Sequence, residues 1–121
     1  MATSKNTFKE RLARYRQIQV TVIGRKSGKA ISIPVWFVLE GAKLYLLPVN
    51  GSDTQWYKNV FKNPAIRIDV RGTEAEFQAL PITERRAVKS VIESFREKYG
   101  AGDVKKYYSK LDEAVVVELP R

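Results

Sequence analysis

Two runs of alternating apolar residues, Ile18-Val20-Val22 and Ile31-Ile33-Val35, flank the six-residue break Gly24-Arg25-Lys26-Ser27-Gly28-Lys29. This arrangement constrains the fold more than any other feature of the chain. Alternation is the period of a half-buried strand, so the unit reads as a β-hairpin with a basic tip. The second run continues through Phe37 and Leu39, and its other face turns apolar at Pro34, Trp36 and Val38. A strand with two apolar faces is expected to be covered on both sides, either by a helix of the same chain or by a second copy.

The same period recurs downstream. Glu40-Gly41-Ala42 reads as a turn into a third strand from Lys43 to Val49, where Pro48 should halt or bulge the pairing because it has no N–H to donate. Ser52-Asp53-Thr54-Gln55 has the spacing of a capping box, so a helix over 53–63 is expected to carry Trp56, Tyr57, Val60 and Phe61 and to stop at Asn63-Pro64. Ile66, Ile68 and Val70, then Ala75, Phe77 and Ala79, give two more strands around Gly72-Thr73. Val88, Val91, Ile92, Phe95 and Tyr99 fall at helical spacing, a core-facing stripe on a helix that begins at Thr83 and ends at Gly100. Ala114 to Leu119 is the last strand.

One domain over 1–121 follows. It comprises an N-terminal basic helix (1–16), barrel strands over 17–80, helices over 83–110 and a final strand at 114–119. Mixed α+β and mainly β, it should form a small six-stranded antiparallel barrel closed by helices, because closure removes exposed strand edges.

Composition narrows the chemistry. The chain has no cysteine and no histidine, which excludes thiolate nucleophiles, zinc–thiolate sites, imidazole ligands and a Ser-His-Asp triad. No metal site is expected. A reaction whose difficult step is carried by an organic cofactor suits these limits best. No apolar run reaches the ~18 residues of a membrane span, and Met1 to Asn6 lacks the apolar stretch of a secretory signal, so a cytoplasmic location is expected.

The net charge of +9 is unevenly placed, since residues 1–29 hold eight cations and one anion. Glycine permits positive φ, so the Gly24–Lys29 loop can curl its N–H groups around a phosphate or carboxylate, with Arg25 as a fork and Lys26 as a point charge. The alternative is a solvated basic hairpin tip. A basic surface also suits a nucleic acid, although the aromatic residues sit at core spacing rather than on a basic sheet.

The ordered set Thr21-Val22-Ile23-Gly24-Arg25-Lys26-Ser27-Gly28-Lys29, Pro34-Val35-Trp36-Phe37, Leu44-Tyr45-Leu46-Leu47-Pro48, Gly51-Ser52, Trp56-Tyr57-Lys58-Asn59 and Asn63-Pro64 resembles the deazaflavin-dependent nitroreductase family. That family is a branch of the split β-barrel flavin and deazaflavin oxidoreductases. The resemblance implies an FMN-binding-split-barrel-like fold and the deazaflavin coenzyme F-420, with FMN as the alternative. It implies that Arg25, Lys26, Ser27 and Gly28 hold the phosphate and oligoglutamate tail. Pro48, Val49, Asn50, Gly51 and Ser52 would then lie against the ring, and Trp56 would line the same pocket. Family tyrosines near the C-terminus contact substrate or donate a proton, and Tyr107 and Tyr108 fall in a plausible place. The reading is hydride transfer to an electron-poor acceptor such as a quinone, an enone or a nitro compound, by a homodimer. The alternatives are coenzyme binding without turnover, as in a carrier or sensor, and a nucleic-acid module.

Several of these residues also have a plainer reading. Trp36 and Phe37 suit barrel core or a subunit contact, Asn59 an exposed polar position, and Tyr107 and Tyr108 amphipathic cover over the barrel.

Overall fold

The computed structural model describes residues 4–119. The first three residues of the expected N-terminal helix, and Pro120 and Arg121, lie outside them. Helix α1 (Ser4–Arg14) is followed by β1 (Gln17–Ile23), β2 (Ala30–Trp36), β3 (Val38–Glu40) and β4 (Lys43–Leu46). A 3₁₀ turn at Gly51–Asp53 leads into α2 (Gln55–Lys62), and the chain continues through β5 (Ala65–Val70), β6 (Thr73–Ile82), α3 (Arg85–Tyr99), α4 (Ala101–Tyr107) and β7 (Ala114–Glu118).

The strands form one curled antiparallel sheet in the order β2-β1-β5-β6-β7-β4-β3. Strand β6 spans both halves, pairing β5 along its first part and β7 along its second. The outermost strands, β2 and β3, are consecutive in sequence, so the chain itself bridges the open side of the half-barrel.

The sheet therefore has seven strands, not six, because the expected run from Ile31 to Leu39 breaks at Phe37. The Phe37 N–H donates to the Tyr99 hydroxyl (3.1 Å), while its carbonyl accepts from the Lys98 ammonium (2.7 Å) and the Tyr99 hydroxyl (2.8 Å). Side chains of α3 thus take the backbone groups that a ladder would otherwise use, and the strand changes partner from β1 to β4 there. The Tyr99 hydroxyl also lies 2.7 Å from the Arg16 carbonyl, tying the start of β1 to the same point. Burial and the nearby Arg16 charge lower the Lys98 ammonium to about 8.

Three further expectations are corrected. Strand β2 is an edge strand with Ile31, Ser32 and Pro34 exposed, and the expected second cover, by helices of the same chain, reaches only Trp36 and Val38, which pack against α3 and α4. The third strand stops at Leu46 rather than Val49. The helix after it starts at Gln55, with Thr54 at its cap and no side-chain capping bond. Ser52 does not cap it because its hydroxyl is taken by Asp112 (2.7 Å), and the Gln55 side chain faces Arg25 instead.

The remaining elements follow their local signals. Phe8 and Leu12, one turn apart on α1, are buried against the sheet. At the start of α3, the Glu84 carboxylate accepts from the N–H groups of Arg86 and Ala87, a charged cap on the positive end of the helix dipole. That helix ends at Gly100, whose φ of 96° an L side chain would resist. The core has two parts. Phe8, Leu12 and the inward residues of the strands enclose Trp56, Tyr57 and Val60 of α2, whereas α3 and α4 bury Val88, Val91, Phe95 and Tyr108 against Val38 and Leu47. Among the described residues, no helix is long and apolar enough to cross a membrane.

Candidate functional site

The edge strand β2 forms one wall of a cleft of about 440 Å³, through Ile33, Pro34, Val35 and Trp36. Leu47 and Val49, from the segment after β4, and Trp56 of α2 form the opposite wall. Tyr107 and Tyr108, where α4 ends, and Gln17, where β1 begins, complete it. Its volume suits a small-molecule site (typically about 300–1,000 Å³), and among the described residues no charged side chain lines it. A flat, largely uncharged ring is the ligand such walls favour.

The aromatic side of the cleft is tightly specified. The Trp36 ring stacks on Tyr99 with centroids 4.3 Å apart and planes 6° from parallel, and Tyr107 meets it edge-on at 5.5 Å. Tyr108 packs at 6.0 Å from Trp36 and at 6.0 Å from Phe95. Trp36 therefore has little freedom to rotate, and the residues that fix it belong to the helices that also break the strand at Phe37. Burial, with Tyr99 adding to it, raises the Tyr108 phenol above its ordinary value, so it stays protonated through the physiological range. Tyr107 is half exposed at the mouth.

Of the residues expected at a coenzyme site, Val49 and Trp56 line this cleft, together with the two tyrosines. Pro48 is buried beneath it. Asn50, Gly51 and Ser52 are stitched to the segment after α4. The Ser52 N–H and hydroxyl donate to the two oxygens of Asp112 (2.9 and 2.7 Å), and Ser109 donates to the Val49 carbonyl (2.9 Å) and to Asn50 Oδ1 (2.8 Å). Lys110 pairs with Asp53 at 3.1 Å. Partial burial of Asp112 opposes its charge, yet the Ser52 bonds and the Lys110 ammonium hold its carboxyl below the usual range. This clasp fixes the loop under one end of the cleft.

Arg25, Lys26, Ser27 and Gly28 sit on the β1–β2 hairpin tip, outside the cleft lining. Arg25 is bound to α2, with its backbone N–H and Nη1 reaching Asn59 Oδ1 (3.1 and 2.8 Å) and its Nη2 reaching Gln55 Oε1 (2.9 Å). These bonds anchor the basic tip to the turn of α2 that carries Trp56. They also correct two expectations. Asn59 is buried rather than exposed, as the acceptor for Arg25. The loop amides do not form an anion cradle, because those of Gly24, Arg25, Gly28 and Lys29 donate within the protein. Anion binding there would fall to the exposed Lys26, Ser27 and Lys29 side chains and to the unused N–H groups of Arg25.

Sequence reasoning missed Gln17, Ile33, Leu47 and Tyr99 as parts of this region. In the sequence Ile33, Leu47 and Tyr99 read as apolar core positions, and the apolar second face of β2 at Pro34 and Trp36 is the nearest signal of the wall they join.

The sequence matches the family described as "Uncharacterized protein conserved in bacteria (DUF2255)" over residues 10–119. No curated protein matches it. Among solved structures, the fold is similar to that of an F420-H2 dependent reductase, FDR-A, at 23% identity and a TM-score of 0.66, covering 85% of this chain and 94% of that one. A protein described as a domain-swapped dimer aligns at 20% identity and a TM-score of 0.67, covering 93% and 98%. HutZ, a heme storage protein from Vibrio cholerae, aligns at 13% identity and a TM-score of 0.70, covering 99% and 92%. These structures share its mixed α+β fold, built on a curled antiparallel sheet.

Proposed function

The chain belongs to the DUF2255 family, and from that premise and the cleft we propose that it binds a deazaflavin, coenzyme F-420, or alternatively FMN, and reduces an electron-poor small molecule. The observation that carries this reading is the joining of two unlike surfaces. An apolar, aromatic-walled cleft takes a ring, and a basic hairpin tip tied to Trp56's helix through Arg25 takes the anionic tail. Pro48 to Ser52 and Trp56 support the ring side, while Arg25, Lys26 and Ser27 support the tail side, with Gly28 shaping the turn that presents them.

The coenzyme supplies the hydride, a transfer that asks the protein mainly for position and electrostatics. The chain's own part is to exclude water with Val49, Trp36 and Trp56 and to hold an acceptor over the open face of the ring. Tyr108 or Tyr107 then offers a proton, with water as the alternative source. The heme-storage reading suggested by HutZ fits less well, because a chain with no histidine or cysteine lacks the commonest axial ligands.

Visible absorption spectra of the purified protein, recorded during titration with F-420 and with FMN, test the reading directly. A shifted ring band and saturable binding are expected. Reduced coenzyme should then be oxidised faster when a quinone, enone or nitro acceptor is present, and binding without such turnover would favour a carrier or sensor. Arg25→Ala should weaken coenzyme affinity roughly tenfold or more, since one charge-assisted contact is worth ~1.5–3 kcal/mol, and added salt should weaken it further. Equal affinity of Arg25→Ala and the parent protein would remove the hairpin tip from the site.

A homodimer is part of the same reading. The edge strand β2 leaves Ile31 exposed, and Val49 and Tyr107 stand half exposed at the mouth of the cleft. A second copy seated there would cover them and narrow the opening. Light scattering should give twice the chain mass, and a monomer at high protein concentration would mean that the cleft opens to solvent.

A further inference from the structure

A second hollow of about 410 Å³ adjoins the cleft, lined by Gln17, Ile18, Gln19, Asp69, Arg71 and Gly72. Gln17 lines both cavities, so they share a wall. Strand register explains the continuity. Trp36 lies opposite Gln17 across β1–β2, and Gln19 lies opposite Asp69 across β1–β5. Arg71, the first residue of the turn after β5, lies beyond the end of that ladder and lines the same hollow. Gln17 thus joins Trp36, its partner across the sheet, to the hollow that Arg71 lines.

Arg71 is held for display. It has a φ of 53° and Gly72 a φ of 89°, a two-residue hairpin turn in which asparagine or glycine usually fills the first position. An arginine there carries backbone strain that asparagine or glycine would not. The Arg71 carbonyl is bound by Arg11 Nη2 (2.8 Å), and its guanidinium lies over the Tyr15 ring at 4.9 Å. Among the described residues, no carboxylate pairs with it. Of the acidic neighbours, Asp69 also lines the hollow, with its Oδ1 accepting from the Gly72 N–H (2.7 Å), while Glu74 faces Arg67 at 3.8 Å.

We propose that this hollow binds the carboxylate of the acceptor, so that the protein selects flat, electron-poor rings bearing an acidic side chain. This rests on the reading of the cleft given above. The ring would lie against Trp36, the chain would pass Gln17 and Gln19, whose amides donate to it, and the carboxylate would meet the Arg71 fork. The hollow lies at the end of the β1–β2 hairpin opposite Arg25, so acceptor and coenzyme tail do not compete for the same cations.

The test uses two quinones and no coenzyme: menadione, and the same ring carrying a propanoate chain. Affinity is read from quenching of the tryptophan fluorescence of Trp36 and Trp56. The acidic quinone should bind roughly tenfold more tightly than menadione, Arg71→Ala should abolish that preference while leaving menadione affinity unchanged, and Arg71→Lys should retain part of it. Equal binding of the two quinones, or a preference that survives Arg71→Ala, overturns the acceptor site while leaving the cleft reading intact. Failure of both quinones to bind also overturns the acceptor site, while the cleft reading stands or falls with the coenzyme titration.

Discussion

Replacing Tyr108 by phenylalanine is expected to lower turnover ~10²–10⁴-fold while coenzyme affinity stays within about twofold, the range general acid catalysis commands when one proton donor is removed. The phenol is the better placed of the two tyrosines to act. It lines the cleft, is buried against Phe95, and is held protonated by that burial. Because its ionisation lies above the ordinary tyrosine value, the rate attributable to it should not fall as pH rises through 9. Tyr107→Phe, at the half-exposed mouth, should change turnover far less. Equal and small effects of the two substitutions would assign the proton to water.

The largest structural effect is expected at Gly51. Its φ of 54° already disfavours any side chain, and a Cβ there would overlap Asp112 Oδ1 and lie 3.0 Å from the Lys110 carbonyl. Alanine would therefore meet ~1–2 kcal/mol of backbone strain and would push Asp112 away from Ser52, forfeiting charge-assisted bonds worth ~1.5–3 kcal/mol. A loss of about 3 kcal/mol should lower the melting temperature by roughly 10 °C and loosen the loop beneath the cleft. Asp112→Ala removes the same bonds without the strain, so it should cost less. Thermal denaturation of both variants checks the order. A Gly51→Ala protein as stable as the parent would show that the clasp does not hold the loop.

Most strands and helices were legible because their signals are local. Ile18, Val20 and Val22 alternate, Val88 to Tyr99 repeat at helical spacing, and Gly41 and Gly72 mark turns. What escaped was decided by residues far away in sequence. Nothing near Phe37 announces a break, because the groups that capture its backbone, Lys98 and Tyr99, lie 61 and 62 positions on. Ser52 and Gln55 have the right spacing for a capping box, but Asp112 and Arg25 compete for them and win. The cleft was half legible. Val49, Trp56, Tyr107 and Tyr108 were named in advance, and the two-faced apolar strand was noticed, but its second face reads equally well as core, as interface or as ligand wall. Gln17 carried no signal, since a glutamine at a strand start is ordinary until its neighbour across the sheet is known to be Trp36.

The strand order also has a bearing on how the molecule comes into being. The β1–β2 and β5–β6 hairpins join neighbours in sequence and can form within about 1–10 μs. The β3–β4 hairpin cannot join them directly, for β7 stands between β4 and β6. On its other edge, away from Leu39, Leu44 meets Val117, and Val116 must bridge Tyr45 on one side and Leu80 on the other. On a ribosome, the two halves of the sheet would wait unjoined until residues 114–118 had emerged. Such non-local closure belongs to the slow, millisecond-to-second class of folding reactions. Through that interval the apolar edge of β4 would be open to any other strand, so the newborn chain is more vulnerable to mispairing than the finished one.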